Sequence, residues 1–125
     1  MKNNSDLKEF QNRIGYHFND EKYLKTALTH SSFANEVKMR KVNDNERLEF
    51  LGDAVLELTS SDYIYKNHSE MNEGSMTRLR ASIVCEPTLA SCSKAISLSD
   101  YIFLGNGEEL TGGRERASIV SDAFE

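Results

Sequence analysis

At 125 residues the chain is the size of one domain, long enough to bury about two-thirds of the surface its unfolded form exposes. Its 38% hydrophobic and 28% charged residues fit a soluble globular protein, and no apolar run approaches the length of a membrane span. The N-terminal MKNNSDLKEF lacks the apolar core of a signal peptide, so the chain reads as cytoplasmic, while a net charge of −5 counts against a nucleic-acid binder, whose footprint is usually basic.

Leu7 to Ile14 has the pattern of a short amphipathic helix that stops before Gly15. Asn19 or Asp20 offers a cap for a second helix through Glu21, Tyr23, Leu24, Ala27 and Leu28. The stretch THSSFANEVKMRKVNDN is polar, carries a basic knot at Lys38, Arg40 and Lys41, and reads as a loop. Asn43, Asp44 and Asn45 offer caps for a long helix from about Glu46 to about Tyr65, broken over Asn67 to Gly74. From Ser75, the residues Met76, Leu79 and Ile83 recur at helical spacing, with Arg78 and Arg80 turned elsewhere. Pro87 suits the first turn of the next helix, which carries Leu89, Ala90, Cys92 and Ile96. Ser99 to Leu104 is apolar and short, enough for one helical turn. GNGEELTGGRER, with four glycines and mixed charge, reads as a mobile loop, after which Ser118 caps a last helix, ASIVSDAFE. No stretch alternates like a strand and no repeat is present, so the expected class is all-α.

Cys85 and Cys92 lie seven residues apart around Pro87. They form neither a CxxC pair nor half of a zinc site, and are expected as small buried or half-buried thiols. His17, His30 and His68 are scattered without an HxxxH pair, so nothing points to zinc.

The chemistry concentrates in NERLEFLGDAVLEL, residues 45 to 58. With Glu46 set at zero, 100° per residue places Glu49 near −60°, Asp53 near −20° and Glu57 near +20°. Four acids therefore share one narrow stripe, and Leu48, Leu51, Ala54, Val55 and Leu58 form the opposite face, which is expected to meet the core. A solvated helix face normally mixes signs, because like charges at i,i+4 repel. On its own the stripe is still most simply an exposed acidic face. The last segment, SIVSDAFE, adds Asp122 and Glu125 on one face of another helix. If the two helices pack together, four carboxylates converge, and two such charges about 5 Å apart at an effective dielectric near 20 cost roughly 3 kcal/mol. Divalent cations remove that penalty, and oxygen ligands without His or Cys suit Mg²⁺ or Mn²⁺. This is the electrostatic form of a two-metal phosphodiesterase site.

NERLEFLGDAVLEL closely resembles the signature of ribonuclease III. LTHSSFANE, EGSMTRLRASIVCEPTLA, GNGEELTGGRERAS and SDAFE resemble further blocks of that family, in order and at the expected separations, so the resemblance runs from about Phe10 onward. It is to the ordinary bacterial type rather than to the compact Mini-III type.

The resemblance implies the all-α ribonuclease III endonuclease fold and a homodimeric, Mg²⁺-dependent endoribonuclease, with Mn²⁺ able to substitute. Such an enzyme cleaves double-stranded RNA, in rRNA and mRNA processing, to 5′-phosphate and 3′-hydroxyl ends with short 3′ overhangs. By position it implies metal binding by Glu49, Asp53, Asp122 and Glu125, with Asp53 and Glu125 catalytic. Glu46 and Glu73 match acidic positions associated with RNA processing. Phe50 matches an aromatic that inserts into the partner subunit, and its place near +40° borders the acid stripe. Glu57 matches no family role and is expected as a solvated acid. His30 lies in a family motif and is expected as a hydrogen-bonded structural histidine rather than a base.

In the family the last helix continues past the DxxE pair, and a separate double-stranded-RNA-binding domain usually follows. Residues 1–125 are therefore expected to be a ribonuclease III catalytic domain incomplete at its C-terminus, and to be weakly active or inactive by themselves. This answers the charge objection in part, because the acids include the metal ligands and much of the family's RNA affinity lies in the second domain. Arg78, Arg80, Arg114, Arg116 and the loop from Lys38 to Lys41 are the bases expected to meet phosphates, with RNA chosen by A-form shape. The alternative is a non-catalytic, dimerising RNA-binding scaffold of the same fold, against which the intact carboxylates argue.

Overall fold

A computed structural model describes residues 4–125; residues 1–3, where the stretch read for a signal peptide begins, lie outside the described residues. The α-helices are α1 (Asn4–Ile14), α2 (Glu21–Ala27), α3 (Ser31–Glu36), α4 (Glu46–Asn67), α5 (Glu73–Ile83), α6 (Glu86–Ala95), α7 (Asn106–Leu110) and α8 (Ala117–Phe124). Three 3-10 turns, Lys38–Arg40, Leu98–Tyr101 and Gly113–Glu115, lie between them. The class is all-α. The strand-like feature among the described residues is one isolated parallel bridge between Thr29 and Phe103. No helix among them is long and apolar enough to cross a membrane.

Local chemistry explains most of the boundaries. The Asp20 side chain accepts from the Lys22 N–H at 3.0 Å to cap α2, and Asn72 accepts from Ser75 at 2.9 Å to cap α5. Pro87 sits in the first turn of α6, where its missing N–H costs nothing. At the start of α4 the labour is divided. Asp44 accepts from the Glu46 N–H, while buried Asn45 donates its side-chain amide to the Ala27 carbonyl at 3.1 Å and its backbone N–H to Thr29 at 2.9 Å. The entry to α4 is thereby fastened to the end of α2. Ser118 does not cap α8: the cap position is Arg116, and no side chain bonds there.

The core joins Leu7 and Phe10 of α1 and Leu24 and Leu28 near α2 to Leu98, Tyr101, Ile102, Leu104 and the α8 residues Ile119 and Val120. The Phe10 and Tyr101 rings pack with centroids 4.8 Å apart. The buried Ser93 hydroxyl of α6 is shared between the carbonyls of Leu89 and, across the helix pair, Val120 at 3.0 Å. That bond fixes α8 against α6 and so sets where its acidic face points.

Two segments expected as loops carry helix. THSSFANEVKMRKVNDN contains α3 and a 3-10 turn, with His30 capping α3. GNGEELTGGRER contains α7 and the turn Gly113–Glu115, because Arg114 and Arg116 organise it through contacts distant in sequence. Arg114 grips Glu109 through Nε and Nη2, and its Nη1 reaches the carbonyls of Ser99 and Ile102. Arg116 pairs with Glu108 and donates to the Thr111 carbonyl. Both cysteines are free; Cys85 is half-buried as expected, but Cys92 is exposed.

The largest correction concerns α4. Leu51, Val55 and Leu58, expected in the core, are 59%, 53% and 72% exposed, and Ala54 is exposed with them. The side turned to the protein runs instead through Glu49, Gly52, Leu56, Ser60 and buried Ile64. Hydrophobic residues occupy both sides of this helix, and the more oily side faces outward.

Candidate metal centre

The centre forms where the end of α8 rests on the first two turns of α4. A Cβ on Gly52 would lie 1.8 Å from the Glu125 carbonyl oxygen and 2.5 Å from its carbonyl carbon, so the approach requires a residue with no side chain. Glu49 is three residues before Gly52, and Asp122 three before Glu125, so each helix presents a carboxylate beside the contact. One oxygen from each of Glu49, Asp122 and Glu125 lies within 4.8 Å of the other two.

Unneutralised, this grouping is under electrostatic strain. Burial, a hydrogen bond to Glu49 and the charges of Glu49, Asp53 and Asp122 push the Glu125 carboxyl up to about 7. Asp122 is raised by the protein around it and by Glu49 and Glu86, an effect that the nearby His30 partly opposes. The group therefore retains a proton near neutral pH in the absence of a cation. Its donors are hard oxygens alone, a set that fits Mg²⁺ or Mn²⁺.

A stability consequence follows from the direction of these shifts. A carboxyl that binds its proton more tightly when folded stabilises the fold fully below its unfolded pKa of 4.5, and loses that contribution as pH rises through about 7. Asp122 acts in the same sense. The metal-free chain should melt at a lower temperature at pH 8 than at pH 5.5, and millimolar Mg²⁺ should narrow the difference. Thermal melts followed by circular dichroism would contradict this if the metal-free midpoint did not fall over that range.

The other candidate residues are dispersed. Asp53 is exposed and lies outside the close group, although its charge reaches Glu125. Glu46 is exposed at the start of α4. Glu73, at the start of α5, lines a cavity of about 430 Å³ between α4 and α5 together with Arg80. Arg80 Nε lies 3.3 Å from Glu57, and its Nη1 donates to Ser61 at 3.0 Å, so Glu57 is a partly solvated acid that is also paired. Arg78 is exposed, with one long bond to Ser75. Arg114 spends its donors on Glu109 and the carbonyls of Ser99 and Ile102, and Arg116 on Glu108 and Thr111, a structural use that leaves little for a phosphate. Phe50 is 80% exposed beside the outward face of α4. His30 accepts from the Ser32 N–H at 3.1 Å through Nδ1, as a hydrogen-bonded structural histidine does.

Two contributors escaped the sequence reading. Glu86 carries no pattern that would connect it with Asp122. Gly52 did carry one: a glycine inside a helix costs about 1 kcal/mol relative to alanine, which marks a place where something must come close.

A family profile described as Ribonuclease-III-like matches residues 20–125. The chain is 54% identical over 119 residues to Ribonuclease 3 of Bacillus velezensis, covering 95% of this chain and 48% of that protein. It is 53% identical to Ribonuclease 3 of a Geobacillus species, covering 99% and 50%. It thus spans about half the length of the curated relatives it matches. Among solved structures it is similar to the nuclease domain of ribonuclease III from Campylobacter jejuni, described for flexibility in a region involved in dimer formation. That match has a TM-score of 0.85 and 39% identity, and covers 94% of this chain and 78% of the other.

Proposed function

Because the chain belongs to the ribonuclease-III-like family, we propose that its carboxylate group is the hydrolytic centre of a Mg²⁺-dependent endoribonuclease acting on double-stranded RNA. The observation that carries the reading is the convergence of Glu49, Asp122 and Glu125 at the Gly52 contact, with Glu125 raised to about 7. Those three residues, with Asp53 beside them, would hold the cation. Bound there, Mg²⁺ or Mn²⁺ supplies the charge that offsets the carboxylates and the Lewis acidity that phosphodiester hydrolysis uses.

The chain's own residues have separable tasks in this reading. Glu49 is anchored on the protein-facing side of α4, and Gly52 lets the Glu125 backbone approach it. Glu125 would give up its proton to a bound cation, so metal uptake near pH 7 would release acid. Asp53 and Glu125 are the catalytic pair, and Glu46 and Glu73 serve RNA processing from exposed positions. The products are 5′-phosphate and 3′-hydroxyl ends with short 3′ overhangs, in rRNA and mRNA processing in the cytoplasm. A homodimer is supported by the outward stripe of Phe50, Leu51, Val55 and Leu58, an apolar surface that a second subunit would remove from water.

The test is direct. The chain is incubated at low salt with end-labelled duplex RNA in Mg²⁺, in Mn²⁺ and in EDTA. Weak cleavage confined to the two metal conditions, with 5′-phosphate ends, is the expected result. Metal-independent cleavage, or 5′-hydroxyl ends, would sink the hydrolytic reading.

A further inference from the structure

Six basic side chains among the described residues are paired with acids. Arg13 sits with Glu9, Lys25 with Glu21, Lys66 with Asp62, Arg80 with Glu57, Arg114 with Glu109 and Arg116 with Glu108. The segment between α3 and the first turn of α4 gathers four that are not. Lys38, Arg40, Lys41 and Arg47 are exposed and enter none of these ion pairs. Three of them, Lys38, Lys41 and Arg47, line one concavity of about 480 Å³ with Asn35, Asn43 and Thr26. The acid at its wall, Asp44, already accepts the Glu46 N–H, and its charge offsets one of the three.

The backbone holds this arrangement at a cost. Lys41 adopts φ 51° and ψ 46°, a left-handed conformation that a lysine rarely takes, and it closes the turn that brings residue 41 back beside Arg47. Asparagine amides and a threonine hydroxyl beside three unpaired cations make a donor-rich recess suited to an oxyanion of fixed charge.

The position of the recess narrows the ligand. Arg47 precedes Glu49 by two residues, which puts the two side chains about 160° apart around α4. The recess and the carboxylate centre therefore open on different sides of the same helix end. A phosphate held by Lys38, Lys41 and Arg47 is not the one being hydrolysed.

We propose that this recess is a phosphate-binding subsite for the backbone of the duplex RNA, engaging the strand away from the cleaved bond. The inference rests on duplex RNA being the ligand, as read above. It assigns part of the nuclease domain's affinity to residues 38–47 and gives them no part in chemistry. The cations act through counterion release, so their share of binding is salt-dependent.

Affinity of the chain for a labelled duplex RNA is measured by fluorescence anisotropy in EDTA across a salt series. Replacing Lys38, Lys41 and Arg47 together with Gln should weaken binding about tenfold at low salt and flatten the log–log salt slope by about 2 to 3. Lys8, Lys22 and Lys94 are exposed, unpaired and spread over other helices. Changing those three to Gln alters net charge equally and should shift affinity by less than about twofold. Lys41→Gly separates binding from folding, because glycine accepts the left-handed turn: its melting temperature should hold or rise while RNA affinity falls. Equal losses in the two triple variants would overturn the subsite and leave the substrate reading standing. No binding by the unmodified chain at low salt would overturn both. Unchanged affinity in Lys41→Gly and in the recess triple would overturn the subsite alone.

Discussion

Glu125→Gln should lower Mg²⁺-dependent cleavage of duplex RNA by about 100-fold or more while making the metal-free protein more stable at pH 8. The two effects have one origin. Gln keeps the shape and one hydrogen-bond acceptor, but it cannot ionise, so the burial cost and the repulsion that raise Glu125 to about 7 disappear. The same change removes one of the proposed carboxylate ligands; losing even a group that only supports a metal ligand typically costs 10- to 100-fold in affinity or activity, which sets a floor. Melting curves at pH 8 with and without Mg²⁺ give the stability half, and initial cleavage rates give the other. A variant that is less stable without metal, or that keeps its Mg²⁺-induced rise in melting temperature, would show that Glu125 does not carry the charge assigned to it.

Gly52→Ala should remove the metal response with little loss of thermal stability. Alanine favours the helix by about 1 kcal/mol over glycine. Against that, the Glu125 carbonyl oxygen would have to retreat by about 1.6 Å to reach ordinary van der Waals distance from the new methyl. The clash falls on backbone, which a rotamer change cannot relieve, so the end of α8 must lift away from α4. Glu125 then leaves Glu49, and the oxygens of the cluster separate. Gly107→Ala provides the control, because a Cβ there meets nothing within 4 Å. Isothermal titration with Mg²⁺ reads the difference: strong attenuation in Gly52→Ala and an unchanged isotherm in Gly107→Ala are expected. Ordinary Mg²⁺ binding by Gly52→Ala would mean the cluster does not depend on this contact.

Legibility in the sequence followed the range of the forces involved. The caps at Asp20 and Asn72, the proline start of α6 and the spacing of the acids all arise within one or two helical turns, and spacing alone brings those features out. The helix in 105–116 was hidden because it depends on Arg114 reaching Ser99 and Ile102, contacts that composition does not record. The inverted reading of α4 has a different cause. A helical wheel separates oily from polar, but it does not distinguish a face meant for the core from one meant for another surface. Glu49 can turn inward because the end of α8, with its own carboxylates, is what it meets. At the site itself, the acids were visible as a pattern. The order among them was not: Asp53 stands apart from the close group, and Glu86 acts on Asp122 from outside any pattern.

The Gly52–Glu125 contact also joins points far apart along the chain, and that separation has a meaning in time. At 5–20 residues per second, a ribosome needs roughly 4 to 15 seconds after Glu49 is made to complete Glu125. Throughout that interval α4 exists without its counterpart, and the cation has no grouped carboxylates to join. If the proposed centre is the hydrolytic one, a nascent chain is therefore catalytically silent, and the capacity to cut is acquired only after α8 has been synthesised and has docked.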